Sequence, residues 1–314
     1  MTVQKPPTLF IMGTTASGKS QLAIAMAELL HGEIISADSI AFYRGFNIAS
    51  AKPSREELLR VKHHFIDILE PHQSRDVGWF SYEARDLIKK LRTQNVLPIV
   101  VGGSGLYLRA LLGDHFHDLP SNPKLKQQLS HISSSELSRI LYSLDPERAE
   151  AIHPNDRVRL IRACEVALLT GKSLTALTQT APPHHNLGAI CCLLLPPKDQ
   201  LLTAIATRTE TMIASGLIAE VDGLLKAGVS PDAKPMKSVG YRQTLSYLTS
   251  KNDTIDHLKE AINTGTWQLA KKQRNWFRKK HHDIIFTHSH IPDIIHDLLE
   301  QLPSLHHRAN HSPR

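Results

Sequence analysis

The feature that most constrains this chain is Gly13-Thr14-Thr15-Ala16-Ser17-Gly18-Lys19-Ser20. It fits the pattern G-x-x-x-x-G-K-[ST] in full. It stands between an apolar run at 8–12 (TLFIM) and a stretch of apolar and small residues at 22–30 (LAIAMAELL). That is the strand, loop, helix context in which such a loop binds phosphate. Its glycines let consecutive backbone N–H groups curl around phosphate oxygens, and the helix N-terminus adds a favourable dipole. Lys19 supplies positive charge, and the Ser20 hydroxyl is placed to reach Mg²⁺.

Around this loop the pattern alternates. A second strand reads at 33–36 (EIIS), a third element at about 63–70, a helix at 81–93 with Ser81 as its cap, and a buried strand at 97–103 (LPIVVGG). Strands alternating with helices predict an α/β fold with a parallel sheet flanked by helices, of the P-loop NTPase-like kind. We take 1–117 as the first part of this core. From 118 to 183 the pattern is helical throughout, with Asn155 or Asp156 as the cap of a helix that ends at Gly171. This reads as an all-helical insertion domain. The segment 181–186 (APPHHN) is a linker, and 188–197 (GAICCLLLPP) returns to a buried strand. Residues 184–290 are then the resumed core with C-terminal helices, broken at 228–235 and 252–253. A last helix and a disordered tail fill 291–314.

Composition narrows the function. With 314 residues, 41% of them hydrophobic, the chain can bury a large core. It has no window of 18 consecutive apolar residues and no hydrophobic stretch at its start, so a membrane protein or a secreted one is not expected and a cytoplasmic one is. Of three cysteines, Cys191 and Cys192 are adjacent and would point to opposite faces of a strand. Neither a disulfide framework nor zinc-ligand spacing is present. The paired histidines at 63/64, 184/185, 281/282 and 306/307 read as solvated or structural. Net charge is +7. No acidic residue lies between Glu260 and Asp283, while Lys271, Lys272, Arg274, Arg278, Lys279 and Lys280 crowd that stretch beside Trp267, Trp276 and Phe277. Such clustering points to nucleic acid.

A phosphate loop identifies phosphate but not a reaction. Motor-type and switch-type NTPases add a strand ending in a Mg²⁺-binding Asp, whereas the best buried strand here ends in Gly102-Gly103-Ser104. Asp67, within HHFIDIL, is the remaining candidate for that role, with a turn or cap role as the alternative. Asp38, in IISADSIAFYRG, follows the second strand and should lie at the ligand crevice. It is either a cap or a general base beside the bound phosphates.

Taken in order, GTTASGKS, SADSIAFYRGFNIASAKP, HHFIDILEP, VGGSGLYLRALL, HPNDRVRLIRACEV, VGYRQ and QLAKKQRNWFR resemble the bacterial tRNA dimethylallyltransferase family, also called tRNA isopentenyltransferases. The match runs from about residue 9 to 280. The resemblance implies transfer of a dimethylallyl group from dimethylallyl diphosphate to N6 of adenosine 37 in tRNA, with diphosphate leaving and Mg²⁺ as cofactor. It also implies a monomer that grips the anticodon stem-loop. Asp38 would accept the N6 proton, Thr15 would contact the bridging oxygen, and Arg208 would stabilise the diphosphate. These residue types suit a weak amine nucleophile and a charged leaving group. Asp38, Ser39, Ile40 and Ala41 would read the flipped base, and Ser104, which stands where the family usually has Thr, would contact the tRNA. Lys126, Val158, Arg159, Leu160, Ile161 and Arg162 in the insertion would contact the RNA, with Gly240, Tyr241, Arg242 and Gln243 near it. The basic residues Lys271, Lys272, Arg274 and Arg278 would hold its phosphates. The chain departs from the family in carrying Lys126 and Trp267 where arginines are usual, and Lys271-Lys272 in place of Lys-Arg. Lysine brings charge without a bidentate fork.

Two other functions share these features. A P-loop small-molecule kinase predicts ATP turnover, and a noncatalytic RNA-binding protein with a relic loop predicts that Asp38 is dispensable.

Overall fold

A computed structural model describes residues 6–113, 119–179, 187–250, 253–278, 283–288, 290–302 and 305. The chain divides into two compact units, the first Met1–Arg75, Glu83–Leu112 and Asn186–Arg314, the second Asp76–Tyr82 and Gly113–His185. The sequence placed a helical insertion at 118–183.

The chain runs β1 (Thr8–Gly13), α1 (Lys19–Leu30), β2 (Gly32–Ser36), α2 (Arg55–Arg60), β3 (His63–His64), α3 (Val77–Thr93), β4 (Leu97–Gly102) and α4 (Gly105–Leu112). The helical stretch α5 (Pro123–Ser130), α6 (Ser134–Leu144), α7 (Pro146–Ala151), α8 (Arg157–Thr170) and α9 (Leu174–Gln179) follows. Then come β5 (Ala189–Leu194), α10 (Lys198–Ala214), α11 (Leu217–Lys226), α12 (Tyr241–Thr249), α13 (Ile255–Phe277), β6 (Ile284–Phe286) and α14 (Ile291–Gln301). The strands form one sheet in the order β3-β2-β4-β1-β5-β6, and every pairing is parallel. This is the parallel α/β core that the alternating pattern predicts.

β1 and β4 are buried at every position, as central parallel strands covered on both faces must be. On one face α1 lays Leu22, Met26 and Leu30 against Leu9, Ile11, Ile34 and Ile99, joined by Leu298 of α14. Each such side chain contributes about 1.5–3 kcal/mol by leaving water. Leu305 joins this cluster although it lies in the expected disordered tail, the rest of which is outside the described residues.

The second unit has its own core of Leu129, Leu137, Leu141, Leu160 and Cys164. Asp156, not Asn155, caps α8 by accepting from the Arg159 amide at 3.2 Å, and Gly171 at φ 67 ends that helix. Glu165 is fully buried and accepts from Ser121 Oγ, the Asn122 amide and Arg162 at 2.7–2.8 Å. Burial opposes its ionisation, but those bonds outweigh it and hold the carboxyl below its ordinary range.

Three sequence expectations need correction. Ser81 lies inside α3; the Trp79 amide donates to Asp76 at 2.9 Å, so the helix begins a turn earlier on a better cap. The third element reduces to two strand residues, followed by bends and a single bridge between Leu69 and Tyr43. The C-terminal region is not helical throughout, because Ile284–Phe286 adds an edge strand to β5. Three residues are too few to show a period.

Candidate active site

The loop between β1 and α1 is tight because its surroundings leave no room. A Cβ at Gly13 would lie 2.7 Å from Ser17 Oγ and 2.8 Å from Leu194 O. Ala16 takes φ 61 and Gly18 φ 86, the left-handed conformations that turn the chain into the helix. Gly18 is the N-cap of α1 and provides no side-chain acceptor, so the helix presents an uncapped N-terminus to the cavity. Thr14 Oγ1 and Ser17 Oγ are buried polar atoms without a protein partner among the described residues. Buried polar atoms are normally satisfied, so an oxygen-rich ligand fits this cradle.

Three charges converge there. Lys19 Nζ folds back to donate to Thr14 O at 3.1 Å. Burial, then the Arg208 cation, pull its pKa down to about 8, against the opposing pull of Asp38. Arg208, on α10, is also pushed down by burial and held up by Asp38, and its Nη2 donates to Ala49 O at 3.2 Å. Its Nε has no partner among the described residues. Asp38 lies just past the end of β2, exposed, with Oδ1 accepting from the Ile40 amide at 2.9 Å. It is thus both turn-former and carboxylate.

Around these groups lies a cavity of about 1210 Å³. It is lined by the phosphate loop, Asp38, Ser39, Ile40 and Ala41, Ser104 in the turn after β4, Arg208, and Lys272 and Gln273 of α13. The loop, Asp38 and Ser104 follow the carboxyl ends of β1, β2 and β4, where open α/β sheets bind ligands.

Some predicted residues face elsewhere. Tyr241 is fully buried and donates its hydroxyl to Glu220 at 2.8 Å; burial and that carboxylate push its pKa up. Glu220 also accepts from the Asn47 and Ile48 amides, so this block holds the loop that carries Ala49 and hence Arg208. Gly240, which does line the cavity, is required beside it, at φ 91 with a Cβ site 2.5 Å from Ala49. Asp67, the other acidic candidate, is paired with Lys52 at 2.5 Å. Arg274 donates to Pro196 O at 2.6 Å, whereas Lys271, Lys272 and Arg278 are exposed. Trp267 packs with Leu201 and Ile205, with Lys198 Nζ 5.8 Å above its ring. Lys279 and Lys280 lie outside the described residues.

In the helical unit Leu160 belongs to the core, and Arg162 binds Leu119 O, Pro120 O and Glu165. Lys126, Val158 and Arg159 are exposed there. Glu220, Lys52 and Gln273 were not singled out from sequence. Glu220 meets Ile48 across 172 residues and Gln273 meets Thr15 across 258, so no local pattern marks those two, whereas Lys52 meets Asp67 15 residues on.

Fold and loop define a class, the parallel α/β proteins with a P-loop-like turn after the first strand. Within it, the chain belongs to the IPP transferase family, whose model matches residues 41–280. Its relatives include tRNA dimethylallyltransferase 2 of Geotalea uraniireducens, 39% identical over 280 residues, which are 86% of this chain and 89% of that one. The tRNA dimethylallyltransferase of Geobacter sulfurreducens is 37% identical over 284 residues, 88% of this chain and 90% of that one. Among solved structures, the tRNA isopentenylpyrophosphate transferase of Bacillus halodurans superposes with a TM-score of 0.69 at 30% identity, covering 98% of this chain and 99% of its own. A eukaryotic dimethylallyltransferase acting on tRNA gives 0.77 at 25% identity, over 87% of this chain and 70% of its own.

Proposed function

We infer that this protein transfers the dimethylallyl group of dimethylallyl diphosphate to N6 of adenosine 37 in tRNA, releasing diphosphate. The observation that carries the reading is the meeting of Lys19, Arg208 and Asp38 at one cavity mouth, next to a phosphate loop with unsatisfied hydroxyls.

In this reading N6 attacks C1 of the dimethylallyl group as the C1–O bond to diphosphate breaks. The electron pair leaves with the diphosphate, and the N6 proton passes to Asp38. Lys19, Arg208 and the uncapped end of α1 bind the charged diphosphate and take up the further negative charge that develops on it as it leaves. Thr15 is assigned to the bridging oxygen. Ser20, exposed at the cavity, is the residue that would hold Mg²⁺. A hydroxyl plus diphosphate oxygens and waters suits an ion that keeps much of its hydration. When bound, the ion would add charge neutralisation at the leaving group.

For the RNA, we assign base reading to 38–41 and Ser104, and phosphate contacts to Lys271, Lys272 and Arg278. Lys126, Val158 and Arg159 offer an exposed surface on the helical unit. We read the protein as a cytoplasmic monomer; among the described residues no helix is long and apolar enough to cross a membrane. The test is to incubate purified protein with radiolabelled dimethylallyl diphosphate and an anticodon stem-loop. Label in the RNA without ATP consumption is expected. ATP turnover without labelling would favour a kinase and sink the reading.

A further inference from the structure

We propose that Gln273 is a positioning residue for the transfer, tying the phosphate loop to the turn that follows β4. The proposal rests on the transfer reading above.

The side-chain amide of Gln273 bonds to two segments, the phosphate loop after β1 and the turn after β4. Its Oε1 accepts from the Thr15 amide at 2.8 Å, and its Nε2 donates to Gly103 O at 3.0 Å. Thr15 is the loop residue assigned to the leaving group, and Gly103 precedes Ser104, assigned to the base. One planar amide with a donor and an acceptor fixed at opposite ends therefore sets the spacing between the two halves of the site. The fit is close. A Cβ at Gly103 would lie 2.6 Å from Gln273 Nε2 and 2.8 Å from Gly13 O, so the turn carries glycine where the amide crosses it.

The helix beneath is held at the same places. Three residues before Gln273, Ala270 packs in a cluster with Leu201 and Ile205 that receives Ala16 from the phosphate loop. Three residues after it, Trp276 covers Gly105, where a Cβ would lie 2.4 Å from the ring. Residues 270, 273 and 276 share one side of α13 by helical spacing. The exposed Lys271 and Lys272 lie on other positions of the same helix. Gln273 therefore acts on the chemistry through Thr15 and Gly103, while Lys271 and Lys272 are the α13 residues assigned to the RNA.

The spacing matters because a displacement of about 1 Å at reacting groups can cost on the order of 100-fold in rate. Gln273→Met keeps length and removes both hydrogen bonds. Gln273→Glu keeps an acceptor for Thr15 and loses the donor to Gly103. Both variants should lower kcat for transfer to the stem-loop by about 10- to 100-fold, with KM for the stem-loop close to wild type and thermal unfolding still cooperative. A loss carried by KM for the stem-loop at unchanged kcat would make Gln273 an RNA contact and overturn the proposal. So would an unchanged kcat, or a loss that merely follows the folded fraction seen by circular dichroism. Wild-type protein run in parallel separates the two readings: no transfer by wild type overturns both, whereas normal transfer by wild type and variants overturns this one alone.

Discussion

Raising the pH should weaken dimethylallyl diphosphate on the alkaline side, where an ordinary lysine would leave it untouched. Lys19 has its pKa pulled down to about 8 by burial and then by Arg208. A lysine so lowered is charged below that value and neutral above it, so its attraction for diphosphate is present at pH 7 and lost as pH rises through 8. About nine-tenths of the free enzyme carries the charge at pH 7 and about one-tenth at pH 9, following the titration of a single site. If only the charged form binds, affinity drops about tenfold across that range, or about 1.4 kcal/mol. The ligand contributes little, because the last ionisation of a phosphate lies near 6. The assay is KM for dimethylallyl diphosphate at saturating stem-loop, measured in half-unit steps from pH 7 to 9.5. Arg208→Met removes one cause of the shift and keeps the larger one, so its KM should be higher throughout and bend at a more alkaline pH. A flat profile to pH 9.5, or curves for wild type and Arg208→Met that bend together, would refute the electrostatic account.

Other outcomes follow from the same geometry. Asp38→Asn should reduce single-turnover transfer by about 10²- to 10⁴-fold, the range for a general base, while stem-loop binding by filter retention is kept; an unchanged rate removes Asp38 from the chemistry. Lys271→Ala should lower the slope of log affinity against log salt by about one, as expected for one lost phosphate contact; parallel slopes would place Lys271 off the RNA. Leu160→Ala opens a cavity in the helical unit's core and should destabilise that unit by about 2–5 kcal/mol in urea unfolding. Val158→Ala, on its exposed side, should fall within about 0.5 kcal/mol of wild type, and comparable losses for both would contradict the burial.

Much of the site was legible along the chain. The phosphate loop, Asp38 beyond β2 and the glycine-ended strand are local signals, since strand ends and helix starts are written in consecutive residues. A cap at 155 or 156 and the stop at Gly171 were legible for the same reason, and the fold chose Asp156. Residues named as a block were harder to sort. In 158–162 and 240–243 the sequence could not separate Leu160 and Tyr241, which face inward, from Val158 and Arg242, which are exposed. Burial depends on what packs opposite, and a block motif carries no such direction.

From sequence alone came a parallel α/β core, a phosphate cradle, a carboxylate beside it and a basic helix suited to RNA, because each rests on residue type and near-neighbour spacing. The tertiary structure decided how those parts are held in register. Gln273 reaches Thr15 and Gly103 across separations of 258 and 170 residues. Glu220 fixes the loop behind Arg208 from 172 residues away. Bonds between distant segments exist only after the sheet has brought strand ends together, so the charge on Lys19 and the reach of Arg208 are properties of the folded crevice.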